Sequence, residues 1–242
     1  MRPFKVLLLL TIFSFFSAKA QENAAPPKKA KEKNAFGIQV KPIIPSSMFR
    51  IVTNEFTSDN IDYFIKPQAG YSLGAMIRFG LSPHFTLQTD INYIKRNFSF
   101  SLEDTSFTSE ISLRVVSYEI PVLATYFVRL SRDVYMGPSA GASFQFLPTN
   151  LYSKNEVMNQ LSLKRSWLSA SLVANVGFEW RTEEAGYFYF GTTYNMYFKP
   201  MFNTRIEYEN AQQVTKTVYS NLKGDYFGLV FRYIFSPNNN KR

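Results

Sequence analysis

Residues 85–93 read Phe-Thr-Leu-Gln-Thr-Asp-Ile-Asn-Tyr, which sets Phe85, Leu87, Ile91 and Tyr93 on one side and Thr86, Gln88, Asp90 and Asn92 on the other. Successive side chains of a β-strand point to opposite faces, so this beat reads as a strand with one apolar and one polar face. Similar segments recur near 36–44, 68–80, 84–98, 113–130, 133–147, 165–181, 186–199 and 224–235. Eight of them behind an export signal predict an all-β protein, an eight-stranded antiparallel up-and-down transmembrane β-barrel over residues 36–236.

That export signal is read from Arg2 and Lys5, the apolar run Val6–Phe16 and the sequence Ser17-Ala18-Lys19-Ala20. Such an arrangement is a signal peptide over 1–20, cleaved between Ala20 and Gln21. Its apolar run is too short to span a bilayer, and nothing else in the chain approaches the ~20 apolar residues of a membrane helix. Residues 21–35, rich in Ala, Pro, Lys and Glu, read as a disordered periplasmic leader, and 237–242 as a short periplasmic tail. With no cysteine in the chain, a lipid-anchor cysteine and a disulfide framework are both excluded.

Formal charge is +9, but much of the excess sits in the signal, in Lys28, Lys29, Lys31 and Lys33 of the leader, and in Lys241-Arg242. The body between is close to neutral, so the basic balance forms no stripe of the kind that holds nucleic acid, and no nucleic-acid partner is expected. Aromatic residues make up 17% of the chain, with 24 Phe and 15 Tyr. A barrel uses such residues in an outward apolar band bordered by aromatic girdles.

Connection lengths alternate as that fold requires. Leu81-Ser82-Pro83, Ser131-Arg132 and Thr182 to Ala185 are short, whereas 45–67, 99–112, 148–164 and 200–223 are long and polar. Short periplasmic turns and long mobile external loops follow. On the strands, one phase carries Ile38, Val40, Leu73, Ile77, Val122, Phe144, Leu172, Val176, Phe190 and Phe231, all uncharged and read as lipid-facing. The other phase carries small and polar residues, including Lys41, Arg78, Asp90, Glu119, Glu179 and Arg232. An isolated buried charge is very costly, so these six are expected to form one hydrogen-bonded ion-pair network that plugs the lumen; the alternative is an ion path.

Catalysis finds few candidates. His84 is the single histidine and falls at a short periplasmic turn, the wrong end for a base working at the external rim. No enzyme, cofactor or metal is expected. The loop aromatics Phe49, Phe56, Tyr63, Phe64, Phe202, Tyr208 and Tyr219 read either as strand extensions and girdle or as an exposed partner surface. Trp167 and Trp180, at opposite ends of one strand, mark the two membrane interfaces.

The last strand, Tyr226 to Phe235, resembles the C-terminal strand read by outer-membrane assembly machinery, through Gly228, Phe231, Tyr233 and a final Phe235. In Tyr118-Glu119-Ile120-Pro121-Val122-Leu123-Ala124-Thr125-Tyr126, followed by Tyr135-Met136-Gly137-Pro138-Ser139-Ala140-Gly141, the chain resembles the PorT-like outer-membrane β-barrel family of Bacteroidota. That resemblance implies a non-enzymatic accessory component of a secretion or surface-assembly complex, as in type IX secretion with its gliding adhesins and proteases. Its partners would be outer-membrane lipid, the assembly machinery, and other outer-membrane or periplasmic secretion proteins. A structural or adhesive small barrel and a narrow channel stand as alternatives. Pro121, inside a strand, implies a lost ladder bond or a bulge.

Overall fold

The computed structural model describes residues 32–45, 54–58, 61–104, 107–155, 158–182, 185–209 and 215–235. The signal, its cleavage point at Ala20 and Gln21, most of the leader, Phe49, the Phe56 side chain and the tail lie outside the described residues.

The strands are β1 (Ala35–Ile44), β2 (Asn54–Ser58), β3 (Ile61–Gly80), β4 (Phe85–Asp104), β5 (Phe107–Tyr126), β6 (Val128–Arg129), β7 (Val134–Met136) and β8 (Ser139–Phe146). They continue with β9 (Leu151–Lys154), β10 (Met158–Lys164), β11 (Leu168–Arg181), β12 (Tyr187–Tyr197), β13 (Phe202–Glu209), β14 (Thr215–Leu222) and β15 (Tyr226–Ile234). Eight of them pair antiparallel around a ring, each with its neighbour in sequence: β1, β3, β4, β5, β8, β11, β12 and β15, with β15 returning to β1. These are the eight segments expected from the alternation. Seen end-on, a ring leaves no open sheet edge, the condition for backbone to lie in hydrocarbon.

The long connections depart from expectation. Where polar external loops were expected at 45–67, 99–112, 148–164 and 200–223, the chain builds further β-structure. β3, β4 and β5 run on beyond the ring, β2 pairs along β3, and β9, β10, β13 and β14 form a second four-stranded sheet in the order β14-β13-β10-β9. Within β4 the reason is visible in the side chains. Up to Tyr93 the outward face is apolar and the inward face polar; from Ile94 onward Ile94, Phe98, Phe100 and Leu102 turn inward and are buried, while Lys95 and Asn97 face out. β5 switches at the same level, with Ile111, Leu113 and Val115 buried inward and Ser112 and Arg114 exposed. The alternation persists and its sense inverts, because beyond the bilayer the surroundings are water and the apolar face must turn inward.

Inward residues of these extensions pack with Met158, Phe202, Ile206, Tyr208 and Leu222 of the second sheet into one apolar core. The expected loop aromatics divide accordingly: Tyr63, Phe202 and Tyr208 are core, Phe64 is half-buried, and Tyr219 is 74% exposed.

At the level of the switch lies an outward row of rings. Tyr71, Tyr93 and Tyr118 meet at centroid distances of 6.3 and 6.0 Å, and Phe146 meets Trp167 at 5.6 Å. At the other end Trp180, Phe188, Tyr233, Phe235 and Phe36 meet in sequence at centroid distances of 6.1, 5.2, 5.0 and 5.7 Å. Eight residue steps separate Phe85 from Tyr93, roughly 20 Å along the barrel axis at the usual rise and tilt.

Two local features interrupt the ladder. β3 carries a bulge between Gln68 and Tyr71. At Pro121 the β4–β5 pairing lapses over two positions and resumes in the same register, and the Thr89 hydroxyl donates to the Pro121 carbonyl at 3.1 Å. A lost ladder bond, and no bulge, is therefore what Pro121 imposes, and the outward Thr89 is satisfied by the carbonyl beside that gap.

Candidate functional site in the lumen

The inward phases of the eight ring strands converge on a narrow interior, just wide enough for side chains to fill. All six charged residues expected there are buried: Lys41, Arg78, Asp90, Glu119, Glu179 and Arg232. Instead of one network they form three separate clusters, stacked along the axis.

Nearest the short turns, the Glu179 carboxylate accepts from Arg78 Nη2 at 2.7 Å and from Arg181 Nε at 2.7 Å. Arg181 also bonds Glu32, at the start of the described chain. Its guanidinium lies 4.0 Å from the Tyr135 ring centre and 4.6 Å from that of Phe127, with Arg78 on Phe127 at 4.9 Å. Cations in such surroundings are held by both the carboxylates and the ring faces.

In the middle sits Asp90. One oxygen accepts from Gln88 at 2.7 Å, the other from Gln39 at 2.7 Å, with Lys41 Nζ at 3.8 Å. Gln39 uses its whole amide: it donates also to Asn92 at 2.6 Å and accepts from Arg232 Nε at 2.9 Å. Arg232, expected in an ion pair, has no carboxylate within 4.0 Å among the described residues; it reaches Asp90 through Gln39 and lies 4.7 Å over the Tyr189 ring. Tyr189 in turn rests on the facing pair Gly177 and Gly191, where an added Cβ would come within 2.7 Å and 2.8 Å of the Tyr189 side chain.

Toward the outer half, Glu119 is also without a cation within ion-pair distance among the described residues. Its Oε2 accepts from Asn195 at 3.0 Å and from the Tyr226 hydroxyl at 3.1 Å. Arg96 lies beyond, donating to the Gly224 carbonyl at 2.6 Å between Tyr197 and Tyr226.

Sequence reading missed Arg96, Arg181, Glu32 and the amide hub Gln39. The first two were findable: Arg96 continues the inward beat of Asp90 and Asn92, and Arg181 that of Gly177 and Glu179. Glu32 and the role of Gln39 depend on contacts across 149 and about 51 residues, which no local pattern carries.

Both ends of this polar interior are covered. The outer core closes one, and Ala35, Met76 and Ile234 with Tyr187 pack at the other. His84 lies outside it, at the short turn, its Nδ1 3.3 Å from the Phe127 carbonyl. On the closing strand Gly228 faces inward and buried, while Phe231 and Phe235 face out, with Phe231 against Phe190 at 5.0 Å.

Comparison with known proteins gives two findings. The family model described as outer membrane protein beta-barrel domain matches residues 20–223. Among solved structures the outer membrane protein OprG from Pseudomonas aeruginosa is similar, at 10% identity and a TM-score of 0.52, over 87% of this chain and 99% of that one. Among curated proteins none matches.

Proposed function

Because the chain belongs to the outer membrane protein beta-barrel domain family and resides in the outer membrane, we propose that it is a non-enzymatic, non-conducting accessory component of a secretion or surface-assembly complex. The observation that carries this reading is the interior: ion-paired in its lower and middle parts, hydrogen-bonded around Glu119 and Arg96 above them, and covered at both ends, on the outer side by the apolar core of the extensions. A barrel so filled works through its ends and not through a pore.

The type of complex rests on the residues Tyr118–Tyr126 and Tyr135–Gly141, which resemble PorT-like barrels of type IX secretion. In that reading the outer two-sheet body and the periplasmic mouth meet partner proteins, and the closing strand with Gly228, Phe231, Tyr233 and Phe235 is what assembly machinery reads. A chromosomal deletion should abolish surface display or export of secreted proteins, and a tagged barrel should co-purify with a larger complex in mild detergent. Normal export from the deletion strain, with the barrel migrating alone, removes this function.

The middle layer favours a second reading, a narrow channel. Ser72, Asn92, Glu119, Gln145, Asn175 and Asn195 carry buried polar atoms with no hydrogen-bond partner among the described residues. Such groups are satisfied by water, and a hydrated middle becomes a path if the ends open.

A further inference from the structure

By the rule that short turns face the periplasm, the mouth at Glu32, Gly80 and Arg181 opens to that side. The segment Glu32–Asn34 lies across it, held by one backbone bond and by the side chains of Glu32 and Asn34. Glu32 N donates to the Ser82 carbonyl at 3.3 Å, Gly80 N donates to Asn34 Oδ1 at 3.1 Å, and the Glu32 carboxylate bonds Arg181 Nη1. Gly80 makes room for it, since a Cβ there would collide with the Glu32 carbonyl.

We propose that this mouth is a receptor for a carboxylate carried on an extended chain, occupied in cis by Glu32 and open to an acidic segment of a periplasmic partner. Arg181 is built for more than it holds. Its Nε is committed to Glu179, Nη1 takes one oxygen of Glu32, and Nη2 is buried without a partner among the described residues. An arginine fork matches both oxygens of a carboxylate, so Glu32 leaves half of the recognition unused. The aromatic faces of Tyr135, Phe127 and Tyr187 hold the guanidinium in place whichever carboxylate is bound. Charge selects the occupant: Lys28, Lys29 and Lys31 precede Glu32 in the leader and Lys33 follows it, so an acidic partner is drawn to the leader and competes at Arg181 with the same charge. The mouth has this shape whether or not the barrel serves secretion.

The test uses the full chain in detergent micelles and two labelled peptides, Ala-Asn-Glu-Glu-Asn-Ala and its Gln-for-Glu counterpart, read by fluorescence anisotropy. Glu32→Gln is expected to bind the acidic peptide at least about tenfold tighter than the neutral one, as a charge-assisted bond to a buried guanidinium implies. The unsubstituted barrel should bind it more weakly than Glu32→Gln, because its own carboxylate competes. Arg181→Gln added to Glu32→Gln, with folding checked by heat-modifiable gel migration, should erase the preference, and Arg181→Lys should reduce it. Equal binding of the two peptides by Glu32→Gln overturns the proposal whether or not the Arg181 variants fold. So does a preference that survives Arg181→Gln in a folded barrel.

Discussion

Glu179→Gln isolates what the lower cluster contributes. The substitution keeps volume and one acceptor but removes the charge that Arg78 and Arg181 share, each at 2.7 Å. Arg181 retains Glu32, whereas Arg78, 2% exposed, already has Nε and Nη1 unpartnered among the described residues and would be left as an uncompensated buried cation. Breaking a buried pair by removing one member costs about 3–5 kcal/mol. The Phe127 face 4.9 Å from Arg78 is there before and after the change and offsets none of it, so a loss of about 3–5 kcal/mol is expected. Urea unfolding in detergent micelles, followed by the fluorescence of Trp167 and Trp180, measures it. Replacing both partners, Arg78→Met with Glu179→Met, should recover most of the loss, because two apolar side chains leave no charge to desolvate. A Glu179→Gln barrel within about 1 kcal/mol of the unsubstituted protein, with a double variant no better than the single, would refute this account of the cluster.

Three further outcomes are expected. Leu172→Arg, on the outward belt of β11, should cost about 2–4 kcal/mol of unfolding free energy, the penalty for a cation facing hydrocarbon. Phe100→Ala, at 1% exposure in the outer core, should cost about 3–5 kcal/mol, and hydrogen exchange should rise along 98–115 while the amides of 86–92 stay protected. Gly191→Val should press on both the Val176 carbonyl and the Tyr189 hydroxyl, disturbing the β11–β12 seam and the ring under Arg232 and lowering stability by about 1–3 kcal/mol, and Gly141→Ala, where the obstruction is the Val122 carbonyl, should disturb the β5–β8 seam.

The ring was legible because a period of two is local: Phe85 to Tyr93 alone separates the lipid face from the lumen face, and the same beat assigns Arg78, Asp90 and Glu179 inward. What the beat does not carry is the identity of the medium outside. From Ile94 to Leu102 it continues unbroken, but with Ile94, Phe98, Phe100 and Leu102 inward, so the apolar-out signature of a lipid-facing strand ends while the strand itself runs on. The ion network was misjudged for a different reason. Counting three cations and three anions suggests mutual pairing, yet partners are fixed by height along the axis, and at the levels of Arg232 and Glu119 the neighbours are Gln39, Asn195 and Tyr226. Register across the ring decides those heights, and register is set by long-range pairing.

Planar-bilayer recording of the purified barrel tests the closed interior most directly. The account expects a membrane that remains silent after insertion, and a conductance that appears when Phe100 and Phe202 of the outer core are truncated together with Arg181 at the mouth. Steady conductance from the unsubstituted barrel would contradict it.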